Sequence, residues 1–232
     1  MKKLLTVAAL CLSALTANAQ EGFNAYALTK PGVVVDYSYN AIMMGSKPKL
    51  AGYFRTTVKA LEKDGDNDVV VTNMFFLNKK KKPSKNAAFA GFADGADVKT
   101  TFEQGSYIMA DPIFSLSGPV SSGFCFRIPA ELKVGDKLES GKIEQTTKAP
   151  MSPTVHNNIS YDDFAVTAEE DVETPAGVFH CMRIEGKVNG SFQTVRLKDT
   201  KYVMWLSQNV GLVKVEADYY GISFVIDAVE GL

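Results

Sequence analysis

Histidine is nearly absent: the 232-residue chain has two, His156 and His180. There is one tryptophan, Trp205, and there are three cysteines, Cys11, Cys125 and Cys181. Neither sign of charge is in excess, since 25 Lys and Arg face 26 Asp and Glu for a net charge of −1. No apolar run reaches the roughly twenty residues that a membrane-crossing helix needs. Each scarcity removes a class of function. So few histidines and cysteines leave no recognisable ligand spacing for zinc, so no metal or other cofactor is expected. A balanced charge argues against nucleic acid. No Gly-x-Ser-x-Gly elbow and no His-Glu-x-x-His pair is present, so no catalytic residue is assigned. The acidic stretch Asp64-Gly65-Asp66-Asn67-Asp68 opens like a calcium loop but has Val69 and Phe75 where that loop needs Gly and Glu, and reads as a hairpin turn.

What is present begins with an address. Lys2 and Lys3, an apolar run from Leu4 to Leu15 and the small-residue site Ala17-Asn18-Ala19 read as a secretory signal peptide. Residues 1–19 are expected to be removed, leaving 20–232 as a single β-barrel-like domain with Gln20 first. The loss of Lys2 and Lys3 moves the net charge to −3. Cys11 leaves with the signal. Cys125 and Cys181 then face an oxidising compartment, as a bridge worth about 3–4 kcal/mol in the chain-entropy model or as two separate buried thiols.

Periodicity points to strands almost throughout. Runs rich in β-branched and aromatic residues cover Val33–Tyr39, Tyr53–Leu61, Val69–Leu77, Ser106–Ala110, Phe124–Ile128, Lys142–Thr147, Ile159–Ala168, Val178–Val188, Ser191–Leu197, Tyr202–Leu206, Leu212–Ala217 and Ile222–Val229. Asn189-Gly190 and Asn209-Val210-Gly211 punctuate them. No stretch sustains a helical apolar stripe over four turns. The fold class is all-β with minor α: one curved antiparallel sheet forming a barrel or half-barrel, which limits exposed edges. The exception is a short helix or loop near 87–98, where Ala87, Ala88, Phe89, Ala90 and Phe92 precede Gly95. It would plug the concave side of the sheet or cover a binding mouth.

Three candidate sites follow. An apolar concavity would be lined by Phe89, Phe92, Trp205, Tyr219 and Tyr220, and would take a lipid-like or other apolar small molecule. Lys79, Lys80, Lys81 and Lys82 would contact an anionic surface, or form a solvated tip that guards strand edges. A hydrolase would use His156 or His180. His180 adjoins Cys181, but neighbours on a strand point to opposite faces, so they make no dyad.

Pro129-Ala130-Glu131-Leu132-Lys133-Val134-Gly135-Asp136-Lys137-Leu138, then Thr174-Pro175-Ala176-Gly177-Val178-Phe179-His180-Cys181, then Trp205-Leu206-Ser207-Gln208-Asn209-Val210-Gly211-Leu212-Val213-Lys214 occur in that order. With the opening strand they resemble the TapB-like family of exported Bacteroidetes proteins. The resemblance implies a curved antiparallel sheet similar to the half-barrels of periplasmic lipoprotein carriers, and no defined activity. It places the chain in the periplasm or on the outer surface of a Gram-negative bacterium. The expected function is a non-enzymatic envelope protein that binds an apolar ligand. The alternative is a structural or protein-interaction module with a filled interior and another envelope protein as partner.

Overall fold

The computed structural model describes residues 23–41, 47–83, 95–113, 120–147, 154–192, 195–218 and 222–232. Fourteen strands occur in the order β1 (Val34–Ala41), β2 (Lys49–Asp64), β3 (Asn67–Leu77), β4 (Ala96–Glu103), β5 (Ser106–Met109), β6 (Val120–Gly123), β7 (Phe126–Ile128), β8 (Glu139–Ser140), β9 (Lys142–Thr147), β10 (Val155–Thr174), β11 (Gly177–Phe192), β12 (Val195–Ser207), β13 (Gly211–Ala217) and β14 (Ile222–Glu230). They form one antiparallel sheet in the order β6-β9-β10-β11-β12-β13-β14-β1-β2-β3-β4-β5-β7-β8. No helix occurs among the described residues. The first and last strands therefore pair in mid-sheet, Val34 opposite Glu230.

The sheet bends round without closing into a continuous ladder. Segment 135–141 lies along β10 instead. Leu138 N–H donates to the Phe164 carbonyl at 2.9 Å, Gly135 N–H to that of Val166 at 2.8 Å, and Tyr161 N–H to that of Gly141 at 3.0 Å. These bonds satisfy edge groups that would otherwise invite another chain.

Alternation explains the core. Phe54, Phe76 and Phe224 form one aromatic group, with the Phe54 ring 5.0 Å from Phe76 and 5.6 Å from Phe224. Phe126, Phe164 and Tyr202 form another, with Phe126 and Phe164 4.6 Å apart. Gly186 on β11 lets the Phe164 ring lie on the backbone, where a Cβ would overlap the ring. β12 buries both faces: Tyr202, Met204 and Leu206 join the main core, and Val203 and Trp205 join a second cluster with Cys181, Val213 and Ile226.

Several expectations are corrected. The part of the proposed helix or loop near 87–98 that is described, from Gly95, leads straight into strand β4, whose Phe102 pairs with Tyr107; residues 84–94 lie outside the described residues. The described segment that fills the interior comes from the N-terminus. Asn24, Tyr26 and Ala27 are buried there, beside Phe23, Ala25 and Leu28. Asn189-Gly190 is no turn, because β11 runs through it with a register shift between Val188 and Gly190. That glycine answers a close approach, since a Cβ would collide with the Asn158 carbonyl of β10. Cys125 and Cys181 are free, buried thiols in the two separate clusters, so they do not form the bridge that was one of the two expectations.

Candidate functional site

The apolar hollow of the concave face lies where β13, β14, β1, β2 and β3 run side by side. Its volume is about 140 Å³, and its lining is Tyr37, Phe54, Thr56, Met74, Pro112, Leu212 and Phe224. Register assembles it: Tyr37 lies opposite Phe54, and Thr56 opposite Met74, so side chains spaced by two residues meet across strands. The Tyr37 hydroxyl donates to the Leu212 carbonyl at 3.0 Å, which ties β1 to β13 at the rim of the hollow. Burial pushes the Tyr37 phenol well above its ordinary range, so it stays neutral. Among the described residues, Thr56 supplies the only lining hydroxyl besides that tyrosine.

A second hollow of about 350 Å³ lies between β4, β5 and the turn before β7, and includes Lys99, Glu103, Ile108, Cys125, Arg127 and Ile143. Its charges are matched internally. Arg127 bonds Glu139 at 3.0 Å and Glu103 at 3.1 Å, and Lys99 reaches Glu62 at 2.7 Å.

Beside that hollow lies a buried polar group. Asp111 accepts from the Ile113 N–H at 2.6 Å and the Tyr202 hydroxyl at 3.2 Å. Burial, then the neighbouring Asp111 charge, pushes the Cys125 thiol up to about 12 and both Tyr161 and Tyr202 well above their usual range. A thiol held so far above neutrality supplies almost no thiolate, and the thiolate is the nucleophile. Cys181 is likewise raised to about 12, first by burial and then by Asp171.

The residues named from sequence scatter. Phe89, Phe92, Tyr219 and Tyr220 lie outside the described residues. Trp205 is buried on the face of β12 away from Met204 and Leu206; its Nε1–H donates to Glu170 at 2.7 Å, and Lys214 lies 4.7 Å from its ring. Lys79, Lys80, Lys81 and Lys82 sit exposed after β3. His156 meets Thr146 at 3.3 Å on the surface. His180 lies between Asp171 and Glu169, each at 2.8 Å, but its side chain is 66% exposed. Those two hydrogen bonds, Asp171 first, raise its pKa.

Sequence reasoning missed the residues that do converge. Tyr37, Phe54, Met74, Leu212 and Phe224 all lie in segments read as strands, and the available signal was apolar residues two apart. The family described as DUF3108-like matches residues 37–220. Two solved structures are similar. One is a candidate exported protein with a YmcC-like fold from Bacteroides fragilis, with TM-score 0.64 and 15% identity over 90% of this chain and 98% of that one. The other is a candidate lipoprotein from Parabacteroides distasonis, with TM-score 0.66 and 15% identity over 90% and 99%. No curated protein matches the chain.

Proposed function

The chain belongs to the DUF3108-like family, and from that premise we propose a non-enzymatic protein of the Gram-negative envelope, in the periplasm or on the outer surface. It holds a segment of a lipid-like molecule in the hollow between Tyr37, Phe54, Met74 and Phe224. The narrower TapB-like affiliation belongs to the same proposal. The observation that supports it is the lining, apolar apart from Thr56 and the Tyr37 hydroxyl. About 140 Å³ is close to the roughly 150 Å³ at which a dry apolar cavity takes up benzene. Each methylene sheltered there gains about 0.8 kcal/mol.

The test is native mass spectrometry of protein taken from the periplasm, with titration of cis-parinaric acid into the delipidated chain. A retained small molecule, and probe binding abolished by Thr56→Phe in a folded protein, are the expected results. A bare polypeptide that binds no probe turns the reading to a structural or interaction module. The N-terminal segment that fills the interior favours that second reading.

A further inference from the structure

Four successive ammonium groups repel one another, and sequence alone makes them a loosely hydrated tip. The fold gives them a defined shape. Leu77 and Pro83 form an antiparallel bridge that closes the loop. Asn78 N–H donates to the Lys82 carbonyl at 2.8 Å, and Lys81 N–H returns to the Asn78 carbonyl at 2.8 Å. The Asn78 side-chain oxygen accepts the N–H groups of Lys80 and Lys82 at 2.8 and 3.2 Å, as asparagine does in tight turns.

Lys81 alone turns back onto the sheet. Its backbone adopts φ 54°, its ammonium meets Asp227 at 2.5 Å and Asp36 at 3.6 Å, and it lies 4.8 Å from the Tyr53 ring centroid. Arg55 holds the same Asp36 through two hydrogen bonds, at 2.7 and 2.9 Å. Asp36 and Asp227 are therefore bonded by Lys81 and Arg55, and the Glu230 charge also acts on Arg55. Lys79, Lys80 and Lys82 remain exposed, with no salt bridge among the described residues. Three positive charges without a salt bridge among the described residues thus sit on a fixed loop of a chain that is acidic once its signal is removed.

We propose that loop 78–82 docks the protein on an anionic phospholipid surface, Lys79, Lys80 and Lys82 meeting headgroup phosphates while Lys81 anchors the loop. A headgroup layer fits better than an acidic glycan, because attraction to a layer of charge needs no shaped groove. Docking is independent of the apolar hollow and stands or falls without it.

The experiment is co-sedimentation of the mature chain with vesicles of phosphatidylcholine alone or mixed with phosphatidylglycerol. Binding is expected only to the mixture, and to weaken as salt rises. Lys79→Gln, Lys80→Gln and Lys82→Gln together should weaken it about a hundredfold, at about fivefold per lysine near a charged membrane. These side chains hold no salt-bridge partner among the described residues, so the melting temperature should not change. Equal binding by the triple variant overturns the proposal. So does displacement by inorganic phosphate at constant ionic strength, which would mean a single-ion site. Binding to soluble polygalacturonate with none to the mixed vesicles also overturns it.

Discussion

Replacing Asn24 by alanine removes one side chain that ties the N-terminal segment to two parts of the sheet. Its amide nitrogen donates to the Gly105 carbonyl at 2.8 Å and the Pro129 carbonyl at 2.6 Å, with the Ile128 carbonyl farther off at 3.4 Å, and its oxygen accepts from Tyr26 N–H at 2.7 Å. The residue is buried, at 3% exposure. Truncation leaves the two closely bonded carbonyls and one N–H without that partner, each costing about 1–3 kcal/mol where water cannot reach. The two closer carbonyl contacts are only partly buried, so the lower end applies and the loss is about 3 kcal/mol. For a chain of this length that is a fall in Tm of about 6–12 °C.

The assay is urea unfolding, with thermal melting alongside. Neighbouring contacts make the effect cooperative: the Tyr107 hydroxyl donates to the Tyr26 carbonyl at 3.0 Å, and Asn209 N–H to that of Ala25 at 2.6 Å. Asn24→Asp sharpens the test. It keeps the acceptor for Tyr26 but turns a carboxylate toward two carbonyl oxygens, so at neutral pH it should destabilise at least as much. Such a carboxyl has a folded pKa above its unfolded one, so the folded state binds the extra proton and stability returns as pH falls. A loss below about 1 kcal/mol for Asn24→Ala, or indifference of the Asn24→Asp variant to pH, would refute the idea that this segment is structural cement.

Three other outcomes are open to direct measurement. His180 should titrate above the ordinary histidine value, and Asp171→Asn should lower its pKa more than Glu169→Gln when followed by NMR. Its stabilisation is present below the unfolded pKa of about 6.5 and fades as pH rises through the folded value; exposure to salt and water keeps it small. Cys125 and Cys181, both raised to about 12 by burial, should resist thiol reagents at neutral pH until the chain unfolds; rapid labelling of native protein, or a bridge between the two in purified protein, would contradict this. Gly190→Ala should abolish folding, because a Cβ there collides with β10. Gly177→Ala, at φ 133° but in open space, should lose only about 1–3 kcal/mol in urea unfolding.

The strands were legible because their cause is local. Val33–Tyr39 and Ile222–Val229 are rich in β-branched and aromatic residues, whereas the pairing of β1 with β14 shows only in the structure. Some turns declared themselves, as at Gly65 with φ 60° and Gly135 with φ 98°, while others with positive φ, such as Gln104 and Gly105 between β4 and β5, did not. Asn189-Gly190 deceived because glycine serves turns and close approaches equally, and only the neighbouring strand distinguishes them. Ala96–Glu103 was missed in part because the small, apolar residues before it suited a helix. Its pairing with β3 decided the matter.

The site was harder to read because its residues come from separated strands, and aromatic content alone does not say which face a ring occupies. Trp205 drew notice as the lone indole, yet one step along β12 separates it from Met204 and places it on the opposite face, held by Glu170 and Lys214. Tyr37 and Phe54 look ordinary in sequence, seventeen positions apart, and become neighbours through the β1–β2 register. Residues 23–28 carry no strand pattern, so nothing marked Asn24 as buried. The fold follows from patterns repeated along the chain; the hollow follows from the pairing between its segments, which a linear reading sees last.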